Sequence, residues 1–141
     1  MPCPRILRLI DELGVSDRVR VLGLIPRADA IALIRKAAFV VQPSLFEGWS
    51  ALVEEARTLG KALVLSDIAI HREQAPPLAQ YFPPEDVHAL ADAMERTWHA
   101  PEVNREGSAR RSAQLRAAAF ARRFLYIAET AISQFQQRYE N

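Results

Sequence analysis

The chain has 141 residues, half of them hydrophobic and a quarter charged, which suits one globular domain or a large piece of one. A net charge of +1 leaves no footprint for nucleic acid or an anionic membrane surface. The lone Cys3 cannot pair within the chain, so no disulfide framework exists and a reducing cytoplasm fits best. No apolar run approaches the roughly 20 residues needed to cross a bilayer, and no secretory leader is visible; a peripheral membrane contact stays open.

In chain order, "CPRILRLIDELG" sets apolar residues at Ile6, Leu9, Ile10 and Leu13 before Gly14, a helical stripe with a glycine stop. "RVRVLGLI" is short, β-branched and bounded by Asp17 and Pro26, and so predicts a strand. "RADAIALIRKA" returns to helical spacing. "AFVVQP" is apolar on both faces, as in a covered parallel strand ending at Pro43. A helix is expected from Ser50 to Gly60, and "KALVLS" is the next strand. "LAQYF" is a weaker strand, and Pro84 to Asp86 start a helix over "DVHALADAMERTW". Residues 104 to 141 read as terminal helices, with Gly107 and Ser108 breaking the first part. Trp98, Phe120, Phe124 and Tyr126 look like core anchors. The arginines from Arg105 to Arg123 read as a solvated helical face, with a docking surface for another domain or anionic lipid as the alternative.

Alternating strands and helices joined by short connections give an α/β, Rossmann-like parallel sheet with flanking helices. No linker, repeat or low-complexity tract divides the chain, so residues 1 to 141 are expected to be a single domain or part of one.

The turn after the "AFVVQP" strand carries the chemistry. At the carboxyl edge of an open parallel sheet, such turns bind ligands. Ser50 is a good N-cap residue, and the first amides of the following helix can hold an anion without a basic side chain. Gly48 lets the backbone come close to a ligand. The plainer alternative is that Ser50 only caps a helix and Gly48 only makes a turn. Helical phase places Leu52, Val53, Ala56 and Leu59 on the core side, Glu54 opposite them in solvent, and Glu55 on the flank. Glu47 and Glu55 are then expected to face one crevice and to accept hydrogen bonds from sugar hydroxyls. His71, His88 and His99 have no metal-ligand spacing with Cys3 or with one another, which argues against a zinc site.

"VVQPSLFEGWSALVEEARTLGKALVLSD" closely resembles the carboxyl-terminal domain of the group 1 family of retaining nucleotide-sugar glycosyltransferases, which have the GT-B fold. The pattern falls on Pro43, Ser44, Phe46, Glu47, Gly48, Glu55, Gly60 and Lys61. The similarity continues upstream from "LGVSDRVRVLG" and downstream through "SDIAIHREQ" and "YFPPEDVHALADAM". It implies transfer of a sugar from a nucleotide diphosphate sugar to an acceptor with retention of configuration, and a diphosphate held with no metal ion and no cofactor. Carried over, Glu47 is the catalytic-site carboxylate that holds donor-sugar hydroxyls, and Glu55 bonds the ribose. The backbone from Gly48 through Trp49, Ser50, Ala51 and Leu52 faces the sugar and diphosphate, and Glu73 matches a glutamate near the donor cleft. Many relatives carry Gly-Leu-Pro where this chain has Ser50 and Ala51, which leaves the sugar unassigned but both amides available as donors.

A complete enzyme of this fold has two Rossmann-like domains, with the acceptor largely on the first. The sequence shows no trace of an amino-terminal domain, nor of the arginine and lysine that neutralise the diphosphate in relatives; the lysines are Lys36 and Lys61. The expectation is therefore a partial donor-binding domain, inactive alone and partnered by a missing amino-terminal domain. A free-standing nucleotide-sugar-binding or interaction module is the alternative, and a generic Rossmann-like protein with an unrelated ligand is a third.

Overall fold

The computed structural model describes residues 4–100 and 105–139. Two compact units divide the chain, residues 1–33 and 34–141.

In the first unit, α1 (Pro4–Glu12) closes with Gly14 at φ +64°, its amide donating to the Asp11 carbonyl, as the glycine stop predicts. None of its residues is buried. Residues 18 to 25 form no ladder among the described residues. The strand expected there is therefore absent, with Val21 and Leu22 about half exposed and Leu24 fully so. A β-branched run becomes a strand only where another strand satisfies its amides and carbonyls. α2 (Arg27–Lys36) follows and continues across the unit boundary, burying Ile34.

The second unit is a parallel sheet in the order β1-β2-β3: β1 (Phe39–Gln42), β2 (Ala62–Ser66) and β3 (Ala79–Phe82). The central β2 has Leu63, Val64, Leu65 and Ser66 completely buried, because both faces are covered. On one face Val64 and Phe82 meet Ala93, Ala89 and Leu90 of α5 (Val87–His99). Successive strand residues point to opposite faces, so Leu63 and Leu65 turn to the side where α3 (Ala51–Thr58) contributes Val53 and Ala56, both fully buried. α4 (Ala69–Gln74) is a short helix that packs against α3. The sequence reading did not name it.

Two caps behave as their residues predict. Ser50 takes a β-region conformation and accepts from the Val53 amide at 3.4 Å; Asp86 accepts from His88 and Ala89 at 3.0 and 2.9 Å. α6 (Glu106–Tyr139) corrects the expected break. Gly107 and Ser108 lie inside one continuous helix, whose first turn is held by Ser108 Oγ donating to the Arg105 carbonyl and by Glu106 pairing with Arg35 and Arg110. The expected core anchors are corrected too: Trp98, Phe120, Phe124 and Tyr126 are all more than 60% exposed. Among the described residues no helix is long and apolar enough to cross a membrane.

Candidate functional site

All three strands run parallel, so their carboxyl ends share one edge of the sheet. At that edge β1 leads through Pro43 to Glu47 and on to the amino end of α3, while β2 leads through Asp67 to α4.

Glu47 is tethered from several sides. Its Oε1 accepts from Ser44 Oγ at 2.6 Å and from Gln42 Nε2, and lies 3.9 Å from His71 Nε2. Burial alone would raise the carboxyl pKa. Hydrogen bonds from Ser44, Gln42 and Ser50, with the charge of His71, outweigh that and hold it below the ordinary carboxylate value. The group is ionised and fixed in place, yet 16% of its side chain stays accessible. An anchored carboxylate with open lone pairs can accept further hydrogen bonds from hydroxyl groups.

His71 is completely buried behind Glu47. Its Nδ1 lies 2.9 Å from the Ser66 carbonyl, an atom that only accepts, so Nδ1 carries a proton. Nε2 faces Glu47 without a hydrogen-bond partner among the described residues. Tyr81 Oη donates to the His71 carbonyl at 3.2 Å, and Ser66 Oγ donates to the Ser44 carbonyl at 2.5 Å. The end of β2 is thereby knitted to the turn after β1. Sequence reasoning weighed His71 only as a metal ligand and missed this pairing. α4 spans six residues, too short for an apolar period to reveal which side chain points inward.

The amino end of α3 completes the site. Among the described residues the amides of Ala51 and Leu52 have no acceptor, as the first turn of a helix leaves them. The buried Gln74 donates to the Ser50 carbonyl at 2.9 Å and so fixes the cap from below. Gly48 is exposed and a Cβ there would meet nothing within 4 Å. Packing within the fold therefore does not require glycine at this position. Trp49 and Ala51 are exposed, and Leu52 is half-buried.

The two helix glutamates differ from expectation in one respect. Glu54 is not solvated: it is half-buried, 3.6 Å from Arg57 Nη1, and accepts from Gln74 Nε2 at 3.3 Å. Glu55 is half-buried on α3, and Glu73 is exposed near the end of α4. Arg72, which follows the carboxyl end of β2, is committed to Asp67, at 2.5 and 2.7 Å.

The model of the family "Glycosyl transferases group 1" matches residues 5–114. The chain is 33% identical over 104 residues to an MMP α-(1→4)-mannosyltransferase of Mycolicibacterium hassiacum, covering 71% of this chain and 25% of that protein. It is 29% identical over 120 residues to an α-D-kanosaminyltransferase of Streptomyces kanamyceticus, covering 84% of this chain and 31% of that protein. Among solved structures, sucrose-phosphate synthase from Thermosynechococcus elongatus superposes with a TM-score of 0.61 at 28% identity, over 83% of this chain and 34% of that one. The chain thus spans between a quarter and a third of the curated relatives it matches.

Proposed function

We propose, for a chain that belongs to the group 1 glycosyl transferase family and shares its GT-B type α/β architecture, that it is the donor-binding portion of a retaining glycosyltransferase. The donor is a nucleotide diphosphate sugar, and the compartment is the cytoplasm. The observation that carries this reading is the carboxylate of Glu47, tethered by Gln42 and Ser44 and backed by His71, beside the unfilled amides of Ala51 and Leu52.

The division of labour follows from charge. A diphosphate is repelled by carboxylates and is suited to amides at a positive helix end. Sugar hydroxyls are suited to ionised carboxylates, where a charge-assisted bond is roughly twice as strong as a neutral one. Glu47 then holds hydroxyls of the transferred sugar at the catalytic site. Gly48 and Trp49 border it, Ser50 caps the helix, Ala51 and Leu52 present amides to the diphosphate, and Glu55 takes the ribose from the same crevice. Exposed Trp49 and Phe46 offer apolar surface beside the sugar.

The test is direct binding. Uridine and guanosine diphosphates, free and carrying a hexose, are titrated against the chain by calorimetry. Glu47→Gln should weaken the hexose-bearing donors at least tenfold while leaving the free nucleotide diphosphates within about threefold, since a lost charged hydrogen bond costs about 1.5–3 kcal/mol. Equal losses for both ligand classes would overturn the assignment of Glu47 to the sugar.

A further inference from the structure

A second cavity lies at the other edge of the sheet. It is formed by the end of α3, the segment before β3 and the first turns of α6, and its volume is about 270 Å³. Four cationic residues line it, Arg57, Lys61, Arg105 and Arg116, together with Ser108 and Ser112. Among the described residues no carboxylate lines it. Residues 108, 112 and 116 are spaced by four and share one face of α6.

The charges there are under-compensated. Arg57 is 83% buried by side chain; its Nη1 donates to the Gln74 carbonyl at 2.7 Å and lies 3.6 Å from Glu54, but its Nε is buried with no acceptor. Arg116 donates to Ser112 Oγ at 3.0 Å. Its pKa is lowered first by burial and then by repulsion from Arg57, with Glu54 acting the other way. Among the described residues Glu54 is the carboxylate that acts on both guanidinium groups. The carboxyl end of α3 adds about half a negative charge, which still leaves the pair in excess. Lys61 is turned to the Ala37 carbonyl at 2.8 Å and supplies long-range field rather than a contact. A buried guanidinium nitrogen without an acceptor, as Arg57 Nε is, is costly, and an anion with several oxygens would remove that cost.

We infer that this cavity is a binding site for a phosphate monoester on a small organic body, such as a sugar phosphate. Guanidinium forks match phosphate oxygens in bidentate fashion, and the Ser112 hydroxyl, which accepts from Arg116, keeps its own proton to donate. The cavity is several times larger than a phosphate alone needs, and Pro76, Pro77 and Leu78 give it an apolar wall for a carbon skeleton. Arg57 and Lys61 precede the amino end of β2, whereas Glu47 follows the carboxyl end of β1, so the site is separate from the donor site and does not rest on that reading.

The experiment is an amide-resolved NMR titration of the chain at constant ionic strength, with inorganic phosphate and glucose 6-phosphate as probes. A parallel arm measures co-sedimentation with phosphatidate vesicles. Saturable shifts at Gly60, Leu78, Ser108 and Ser112 are expected, with glucose 6-phosphate tighter than phosphate. Arg116→Gln should weaken both at least tenfold, and Arg116→Lys, which keeps the charge and loses the fork, should fall between. Arg116 is preferred over Arg57 because Arg57 also holds the Gln74 carbonyl. Absence of saturable shifts, shifts centred on Trp49 to Leu52, equal affinity in Arg116→Gln, or a response to vesicles but not to the free phosphates would each overturn the proposal.

Discussion

Glu47 joins stability to the proposed function through a single ionisation. Its folded pKa lies below its unfolded value, so the carboxylate stabilises the fold fully above the unfolded value. That contribution is lost as pH falls through the folded value. Glu47→Gln removes the titration while keeping a polar group of similar shape. Between about pH 6 and about pH 3, the wild-type chain should therefore lose more stability than the variant, read as denaturant midpoints at each pH. Parallel loss in both would mean that the Gln42 and Ser44 bonds do not favour the ionised form. The neighbouring glutamates give a second residue-scale expectation. With a nucleotide diphosphate as probe, Glu55→Ala should cost on the order of 1–3 kcal/mol of affinity through the unpaired ribose hydroxyls. Glu54→Gln should leave affinity within about twofold, since Glu54 is occupied by Arg57 and Gln74. Equal effects from the two changes would remove the case for Glu55.

At the scale of elements, burial separates what holds the fold from what merely decorates it. Leu65 of β2 is fully buried, whereas Phe124 of α6 is 61% exposed although both are large and apolar. Leu65→Ala should cost about 2–5 kcal/mol in chemical denaturation, and Phe124→Ala only about 0.5 kcal/mol or less. The reverse order would mean that α6 carries a core which its exposed aromatic residues do not show. β1, β2 and α5 were legible in the sequence because each has a local signal: an apolar run covered on both faces, or a cap such as Asp86 ahead of a periodic stripe. The strand around Val21 failed because a ladder needs a neighbour, and no pattern within "RVRVLGLI" reports whether one exists. The break at Gly107 failed for a different reason. One glycine costs a helix only about 1 kcal/mol, which the Arg35–Glu106 and Arg110–Glu106 pairs and the Ala-rich remainder of α6 can offset. At the site, Ser50 and Glu47 were legible from the strand–turn–helix pattern. His71 was not, because its burial depends on how the short α4 seats against β2 and β3, a tertiary fact without a period.

For the molecule as a whole, the decisive quantity is charge at the carboxyl edge of the sheet. Departure of a nucleotide diphosphate from a sugar develops negative charge on the leaving oxygen, and preorganised electrostatics is usually the largest catalytic contribution. The amides of Ala51 and Leu52 provide partial positive charge, but the cations on α3, on α4 and just before β2 are engaged elsewhere. Arg72 is paired with Asp67, Lys61 is turned to the Ala37 carbonyl before the amino end of β2, and Arg57 and Arg116 belong to the cavity at that same opposite edge. The acceptor hydroxyl must also be held near the anomeric carbon, an alignment that can contribute about 7–11 kcal/mol. In relatives of which this chain spans 25% and 31%, the remaining length is available for that task. We therefore expect the 141-residue chain by itself to bind nucleotide diphosphate sugars but to transfer no sugar at a measurable rate. The measurement is product formation from a panel of nucleotide-sugars and hydroxyl acceptors, monitored by mass spectrometry, alongside the calorimetric titration. Turnover by the isolated chain that disappears in Glu47→Gln would refute the expectation, since it would mean that one helix end and one tethered carboxylate stabilise the leaving group without any cation.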